Sequence, residues 1–410
     1  MPSAGCRFIR IAILLLVSAV AVHATRAEPR LIAAEARTPA LLLLDAHYLD
    51  EVRARLAKGD QQLAPALASL EQDARKALAV TPPSVMGKTV LPPSGDKHDY
   101  MSQAPYWWPD PNQPDGLPYI RRDGERNPEI QGISDRANLG FVLSAVPTLA
   151  LAFHLTGQSN YATHAARLVQ VWFLDTKTRM SPHLRFGQGI PGRTEGRGIG
   201  IIETRELPEL LDGVTLLAGS PAWTKADQQG LKAWMRAYLE WLRDSPHGRA
   251  ESRNGNNHET WYDVQVASLA LFTGQKGLAK RTLVGAQERI AHQIAPDGHQ
   301  PRELERTRSW HYSIFNLRAF FCLATLGDRV GVDLWRYRTP DGRSVRRALD
   351  FLVPYAAAEH RWPYEQITPF GADTLAGLLR RAATVWSEPT YAQLAQQVGG
   401  EGDRLKLTTP

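Results

Sequence analysis

The sequence contains few cysteines. Its 410 residues include only Cys6 and Cys322. Cys6 precedes an apolar run near the N-terminus, so removal of that segment would leave Cys322 alone and would exclude an internal disulfide. Cys322 lies within an apolar stretch, where a small buried core residue is far more common than a nucleophile. The mature chain must therefore be stabilised by core packing.

Signals for binding nucleic acid, nucleotides and metals are also missing. The chain has no basic tract with interleaved aromatics, and no glycine-rich phosphate loop follows a strand. His98 with Asp99, or His292 with His299, could supply metal ligands. They lack the two-histidine helical spacing and the cysteine clusters that are typical of metal sites. We therefore predict no cofactor, no metal ion and no nucleic-acid partner.

The first 27 residues have the three parts of a secretory signal peptide. Arg7 and Arg10 form a short basic region, residues 11–22 are apolar, and small residues ending at Ala24 or at Ala27 offer a cleavage site. About a dozen apolar residues is short for a membrane span, which needs roughly 20. The sequence thus predicts a signal peptide over 1–27, a periplasmic or secreted protein, and no stable membrane anchor after cleavage.

The formal net charge is mildly positive. It is +6 for the whole chain and would fall to +3 on loss of Arg7, Arg10 and Arg26 with the signal peptide. A basic exported protein suits an acidic polymer as partner, although the sign of the charge carries no information about the fold.

The rest of the chain is predicted to be one helix after another, and strand signals are weak. Apolar residues recur at helical spacing in ten segments: 50–70, 138–155, 161–174, 206–217, 225–242, 263–272, 278–293, 313–326, 345–358 and 373–385. Pro65 is expected to kink or split the first of them. Helices joined by short loops predict an all-α fold, an (α/α) toroid built as an incomplete barrel of helical hairpins. Residues 28–410 form one domain in this prediction, and the lack of a fixed period disfavours a repeat solenoid.

Two long stretches do not have a helical pattern. Residues 81–135 are rich in proline, aspartate and aromatics, and residues 179–200 are rich in glycine and arginine. Loops of this length in a compact domain are usually functional or disordered. Their aromatic and charged content favours ordered loops that line a site, whereas residues 28–40 are expected to be a flexible lead-in.

Two short segments carry the groups that an elimination reaction needs. Asn257 and His258 are adjacent at a predicted helix start, where Asn256 or Asn257 is expected to be the cap. Arg306 and Tyr312 lie six residues apart before a second helix. On a uronic acid polymer, amide and guanidinium groups would neutralise the carboxylate, while imidazole and phenol groups would transfer protons. A nearby cation such as Arg306 would be needed for Tyr312 to act as a base, because an ordinary phenol has a pKa near 10.

The two predicted loops contain further candidates for substrate binding. Trp107 and Trp108, beside prolines, could form a platform for sugar rings or could plug one end of the barrel. His98 and Tyr100 precede them. The glycine-rich second loop carries three more polar candidates, the first helix start adds one and the second helix start adds two; these are Gln188, Arg193, Arg197, Asn256, Arg308 and His311. Arginines of this kind bind carboxylates in a bidentate manner, although Glu195 could instead form a structural ion pair with them.

Taken together, these motifs resemble the helical alginate lyase superfamily over residues 98–362, and most closely its branch of glucuronan and mannuronan lyases. The resemblance implies an (α/α) toroid, metal-independent elimination and a 4,5-unsaturated product. It assigns Asn257 and Arg306 to carboxylate neutralisation, and His258 and Tyr312 to catalysis. The related periplasmic alginate lyases have one more residue between arginine and tyrosine, so Arg308 remains an alternative to Arg306.

The function predicted from the sequence is a polysaccharide lyase acting on a 1,4-linked polyuronate such as alginate, polymannuronate or glucuronan. The expected partner is that acidic polysaccharide, and the chain is expected to be a monomer. One alternative is a glycoside hydrolase, which needs two carboxylic acids flanking the bond; the candidates are Asp99, Asp110, Glu195, Glu203 and Glu259. Another is a non-catalytic polysaccharide-binding protein, which would keep the tryptophans and arginines. The uronate epimer, and whether His258 or Tyr312 is the base, stay open at this level.

Overall fold

The computed structural model describes Met1, residues 41–400 and residues 402–409. The predicted signal peptide and the lead-in over 28–40 lie outside the described residues. The architecture that follows lies within the unit Thr38–Pro410.

Helices dominate this unit. Numbered α1 to α14 in chain order, they are Ala46–Ala57, Ala64–Leu78, Asp135–Thr156, Ser159–Val169, Leu207–Leu216, Lys225–Asp244, Pro246–Glu251, Asn257–Phe272, Lys276–Gln293, Pro301–Leu304, Ser309–Asp328, Val345–Ala356, Ala376–Trp386 and Pro389–Val398. The four strands in the described part of the chain, β1 to β4, are Met101–Gln103, Trp107–Trp108, Ile120–Arg121 and Phe186–Gly189. The prediction of an all-α fold is confirmed.

The predicted helical segments are found with small shifts at their ends. The segment containing Pro65 is split, as expected, and the proline lies in the first turn of α2. The helix α8 begins at Asn257 with Asn256 as its cap, as the capping pattern predicted. Apolar periodicity alone had placed its start at residue 263, because the buried residues Trp261 and Tyr262 of its first turns do not extend the periodic pattern. The short helices α7 and α10 were not predicted, since a helix of one or two turns has too little apolar periodicity to recognise. The C-terminal α14, with 10 residues, was not predicted either.

Neighbouring helices pack as hairpins around one hydrophobic core. The helix α3 lies against α4 and α5, and α8 lies against α9 and α11. Both α8 and α11 are buried on nearly all sides, which places them in the inner layer. Cys322 is one of the buried residues of α11, as predicted. The helix α3 is long and apolar enough to cross a membrane by composition, but over half of its most apolar window is buried inside the protein, as in a core helix.

The two long loops are mainly non-helical, as predicted, and two small sheets shape them. Strand β1 of the first loop pairs in parallel with β4 of the second, with Met101 opposite Phe186. Strands β2 and β3 form an antiparallel ribbon within the first loop, with Trp107 opposite Arg121. The pairing of β1 with β4 holds the two loops side by side, next to the N-terminal ends of α8 and α11.

Candidate active site

The two loops and the first turns of α8 and α11 enclose a cavity of about 490 Å³, called here the main cavity. Its charged lining is entirely cationic in the described part of the chain: seven arginines contribute to it, and no aspartate or glutamate does. These arginines are Arg121, Arg126, Arg136, Arg197, Arg205, Arg306 and Arg308. A concave surface lined by charges of one sign focuses its field and attracts a polyanion.

His258 lies in the first turn of α8, with its ring held by a buried carboxylate. Asn256 caps the helix, because its side-chain oxygen accepts the His258 backbone N–H at 3.1 Å. The His258 Nδ1 atom lies 2.7 Å from Oε1 of Glu251, a fully buried residue of α7. An ionised Glu251 favours the tautomer with the proton on Nδ1. In that tautomer Nε2 carries a lone pair and can accept a proton.

Asn257 is held by a second buried carboxylate. Its backbone N–H and its side-chain amide donate to the two oxygens of Glu303 in α10, at 2.7 and 2.8 Å. Burial raises the pKa of Glu303, and the two Asn257 hydrogen bonds offset part of that rise. The amide group of Asn257 has a second N–H, which remains for a substrate oxygen.

Arg306 forms a bidentate ion pair with Asp123 of the first loop. Its Nε and Nη2 atoms donate to the two carboxylate oxygens at 2.9 and 2.7 Å, and Asp123 also accepts from Arg121 at 2.7 Å. Burial alone would raise the pKa of Asp123, but the hydrogen bonds and charge of Arg306 lower it to about 2. Burial would likewise lower the pKa of Arg306, yet Asp123 and Tyr312 raise it overall. Both groups are therefore charged at neutral pH.

Tyr312 lies directly beneath this guanidinium group. The Arg306 Cζ atom is 3.8 Å from the centre of the Tyr312 ring, and the Tyr312 hydroxyl is 3.0 Å from that of Tyr106. The sequence-based expectation was that Arg306 would lower the pKa of the phenol. Burial raises the Tyr312 pKa by more than Arg306 lowers it. The phenol is thus protonated at neutral pH in the substrate-free protein, as a proton donor must be.

Six of the residues predicted to bind substrate line the main cavity: Trp107, Gln188, Arg197, Asn256, Arg308 and His311. Among them, Arg197 donates to the side-chain and main-chain oxygens of Gln188 at 2.9 and 3.2 Å. The left-handed backbone of Gln188, with φ of 49°, turns both oxygens toward the guanidinium. Burial, followed by the charge of Arg121, lowers the Arg197 pKa to about 10, so Arg197 stays cationic at neutral pH.

The other four predicted substrate contacts lie outside the main cavity. The prediction for Tyr100 is wrong, because its side chain is fully buried and its hydroxyl donates to Glu203 at 2.6 Å. His98 contacts the Arg179 carbonyl through Nδ1 at 2.6 Å and does not line the main cavity.

Trp108 and Arg193 also lie outside the main cavity, and both donate hydrogen bonds to carbonyl groups of the first loop. The Trp108 indole N–H donates to the Glu125 carbonyl at 3.1 Å. The Nε atom of Arg193 donates to the Tyr119 carbonyl at 2.8 Å. Its guanidinium carbon lies 5.1 Å from the ring centre of Trp107, so Arg193 contacts this tryptophan without lining the main cavity.

Several groups at the site were not recognised from the sequence. Glu251, Glu303 and Asp123 hold His258, Asn257 and Arg306 from elements distant in sequence or from a helix too short to predict. A further phenol and four cations line the main cavity: Tyr106, Arg121, Arg126, Arg136 and Arg205. Among these residues, Tyr106 could have been recognised from the sequence, because it directly precedes the two tryptophans that were predicted to bind substrate.

The carboxylates considered for hydrolysis are held elsewhere in the described structure. Asp99 lies 3.1 Å from His183, and Glu259 lies 2.9 Å from Arg289. Glu203 accepts from Tyr100, Asp110 accepts from Asn112, and Glu195 lines a different cavity. Residues 41–400 and 402–409 also contain no cluster of three or more His, Cys, Asp or Glu side chains that could hold a metal ion.

The chain is similar to known alginate lyases. The family model described as "Alginate lyase" matches residues 84–362. An alginate lyase from Bacteroides ovatus, solved at 1.60 Å, shares 41% identity and a TM-score of 0.86, over 90% of this chain and 99% of that one. Alginate lyase A1-III from Sphingomonas species A1 is 16% identical, with a TM-score of 0.56 over 90% of this chain and 97% of that one. At that identity the likeness shows the shared fold alone. Among curated proteins, none matches the chain.

The helical toroid predicted from the sequence is confirmed by these structures. The chain belongs to the alginate lyase family. It is a polysaccharide lyase.

Proposed function

We propose that this lyase cleaves alginate, or a closely related 1,4-linked polyuronate, by β-elimination without a metal ion. The observation that carries the proposal is the main cavity itself. His258 and Tyr312 both line it, and its charged lining among the described residues consists of arginines. A uronate polymer carries one carboxylate on every ring, which matches such a lining. The Bacteroides ovatus protein, 41% identical to this chain, is described as an alginate lyase.

The first step is recognition of the carboxylate on the ring that reacts. Arg306 already donates through Nε and Nη2 to Asp123, whereas Arg308 forms no side-chain ion pair among the described residues. We therefore assign carboxylate neutralisation to Asn257 and Arg308. Arg306 is assigned to the support of Tyr312, whose ring it covers. Neutralising the carboxylate stabilises the carbanion that forms when the neighbouring C5 proton leaves.

The second step is elimination. His258 Nε2 accepts the C5 proton, the C5–H electrons form the C4–C5 double bond, and the C4–O4 bond breaks. Tyr312 donates its proton to the departing O4, which becomes the hydroxyl of the released chain. The other fragment keeps a 4,5-unsaturated uronide end. For the epimer whose C5 proton faces Tyr312, that phenol has to ionise first, and the raised pKa of Tyr312 disfavours this route.

Alkene formation tests this proposal directly. The purified protein is incubated with polymannuronate, polyguluronate, glucuronan and hyaluronan, and ultraviolet absorbance of the new double bond is followed together with reducing ends. We expect alkene formation on at least one of the first three polymers, with or without a chelator. New reducing ends without absorbance would indicate hydrolysis, and binding without turnover would indicate a binding protein. Activity lost in chelator and restored by a divalent ion would overturn the metal-free scheme.

We also propose that the chain acts in the periplasm or outside the cell as a monomer. The basic, apolar and small-residue pattern of residues 1–27 supports export, and an extracytoplasmic site suits a large acidic polysaccharide. N-terminal sequencing of the exported protein tests the cleavage site, and light scattering tests the monomer. A retained N-terminus in the cytoplasmic fraction would contradict export.

A further inference from the structure

A second cavity of about 540 Å³ adjoins the main cavity. It lies between the turn at Pro128–Gly132, the first turns of α3 and the segment before α5. Three arginines, Arg126, Arg136 and Arg205, line both cavities. Because the same side chains face two spaces, the cavities meet along a boundary made of guanidinium groups.

The charges at this boundary are not fully balanced. Arg136 lies 3.4 Å from the buried carboxylate of Glu203, and Arg205 donates to Glu206 at 2.9 Å. Arg126 is exposed and forms no ion pair or hydrogen bond with any side chain that the structure describes. One positive charge therefore remains at the boundary, available to an anionic ligand, since a guanidinium binds a carboxylate through two parallel N–H groups.

One polyuronate chain could occupy both cavities. A polymer cut within its length continues beyond the reacting ring, and each following ring carries another carboxylate. Glu203 and Glu206, the partners of Arg136 and Arg205, also line the second cavity. On a path that leaves the main cavity across this boundary, Arg126 is therefore the cation that the next carboxylate would meet. The wall formed by Ala137, on the exposed side of α3, leaves room for a sugar ring.

We propose that the second cavity is a binding subsite for uronate rings of the same chain that reacts in the main cavity, with Arg126 as its carboxylate-binding residue. The inference rests on the proposed function. It adds that the enzyme recognises substrate beyond the reacting ring, so that catalytic efficiency rises with chain length. Contacts to distant rings are made in both the ground state and the transition state, so they lower KM more than they raise kcat.

The test uses trisaccharide and hexasaccharide substrates made from whichever polyuronate the wild-type protein cleaves. The measured quantity is the ratio of kcat/KM for the hexasaccharide to kcat/KM for the trisaccharide. We expect Arg126→Gln and Ala137→Trp each to lower this ratio about tenfold, the scale of one charge-assisted hydrogen bond. Arg126→Gln removes the cation, and Ala137→Trp fills the second cavity while leaving every charge in place.

Two matched variants serve as controls. Arg122→Gln removes an exposed arginine of the same loop that lines neither cavity, and Ser144→Trp adds the same bulk at an exposed position of α3 away from both. Their ratios should equal that of the wild type. If the wild type forms alkene but both test variants keep its ratio, the subsite is overturned and the proposed function stands. If no polyuronate yields alkene, the proposed function itself fails.

Discussion

The ring of Tyr312 packs beneath Arg306, and its hydroxyl group carries the proton for the leaving oxygen. Removing the hydroxyl oxygen separates these two roles. Tyr312→Phe keeps the ring beneath Arg306 and deletes only the proton that we assign to the leaving oxygen. We expect kcat to fall on the order of 10²-fold or more, the typical worth of a general acid, with the melting temperature unchanged. Alkene formation at saturating substrate measures this. Tyr106→Phe is the matched control, because it removes the partner hydroxyl and should lower kcat much less. Near-normal turnover of Tyr312→Phe would remove this phenol from the mechanism.

Asp123 is expected to act through Arg306 on the pKa of Tyr312. In Asp123→Asn the guanidinium loses its counter-charge, so it should lower the Tyr312 pKa more strongly than in the wild type. Because the reaction uses the protonated phenol, the alkaline limb of the kcat–pH profile should then move to lower pH. Loss of the bidentate contact should also lower kcat about tenfold. The pH profile of alkene formation measures both effects.

A control for Asp123 lies on the same loop. Asp115→Asn removes a carboxylate that, within the described residues, accepts only from the backbone of Leu117, so its profile should match that of the wild type. If Asp123→Asn lowers the melting temperature while its alkaline limb stays in place, Asp123 has a purely structural role.

At the scale of an element, the β2–β3 ribbon explains why adjacent tryptophans differ. Successive side chains of a strand point to opposite faces, and accordingly Trp107 lines the main cavity while Trp108 does not. The sequence alone could not separate a sugar platform from a plug. Because the ribbon places only Trp107 at the main cavity, while Trp108 donates to the Glu125 carbonyl, we propose that Trp107 forms the platform.

The two tryptophans therefore make a matched pair of variants. Trp107→Ala should raise KM up to about tenfold with little change in kcat, because a stacking contact of about 0.5–1.5 kcal/mol is lost equally in both states. Trp108→Ala should instead lower stability, by on the order of 1–3 kcal/mol of packing, with KM unchanged. Steady-state kinetics and thermal melting on both proteins decide this. A KM indifferent to Trp107 would contradict its place in the binding cleft.

At the scale of the whole molecule, a buried carboxylate ties the start of the described chain to the helical core. Asp212 of α5 accepts the backbone N–H groups of Leu42, Leu43 and Leu44. Burial raises the Asp212 pKa to about 6 despite these three donors. Its value in the unfolded chain is near 3.8, so between the two values the folded state binds more protons.

The contribution of Asp212 to the free energy of unfolding should therefore fall as the pH rises from about 4 to above 6. In Asp212→Asn the titration is absent. The free energy of unfolding of the wild type minus that of the variant should fall by on the order of 2–3 kcal/mol between about pH 4 and pH 7. Urea unfolding of both proteins at a series of pH values measures this difference. A difference that stays constant or grows with pH would contradict the raised pKa.

The sequence by itself determined the helices and the chemical groups of this protein. Helical periodicity and capping are local properties, so the long helices and the positions of His258 and Tyr312 at helix starts could be predicted. Tertiary structure decided which groups meet. Asp123 reaches Arg306 across 183 residues, and no spacing in the chain encodes that contact. Tyr100 and Trp107 are aromatic residues of the same loop, yet Tyr100 is buried against Glu203 and Trp107 faces the main cavity. Loop pairing and burial cause this difference, and both depend on contacts between segments that are distant along the chain.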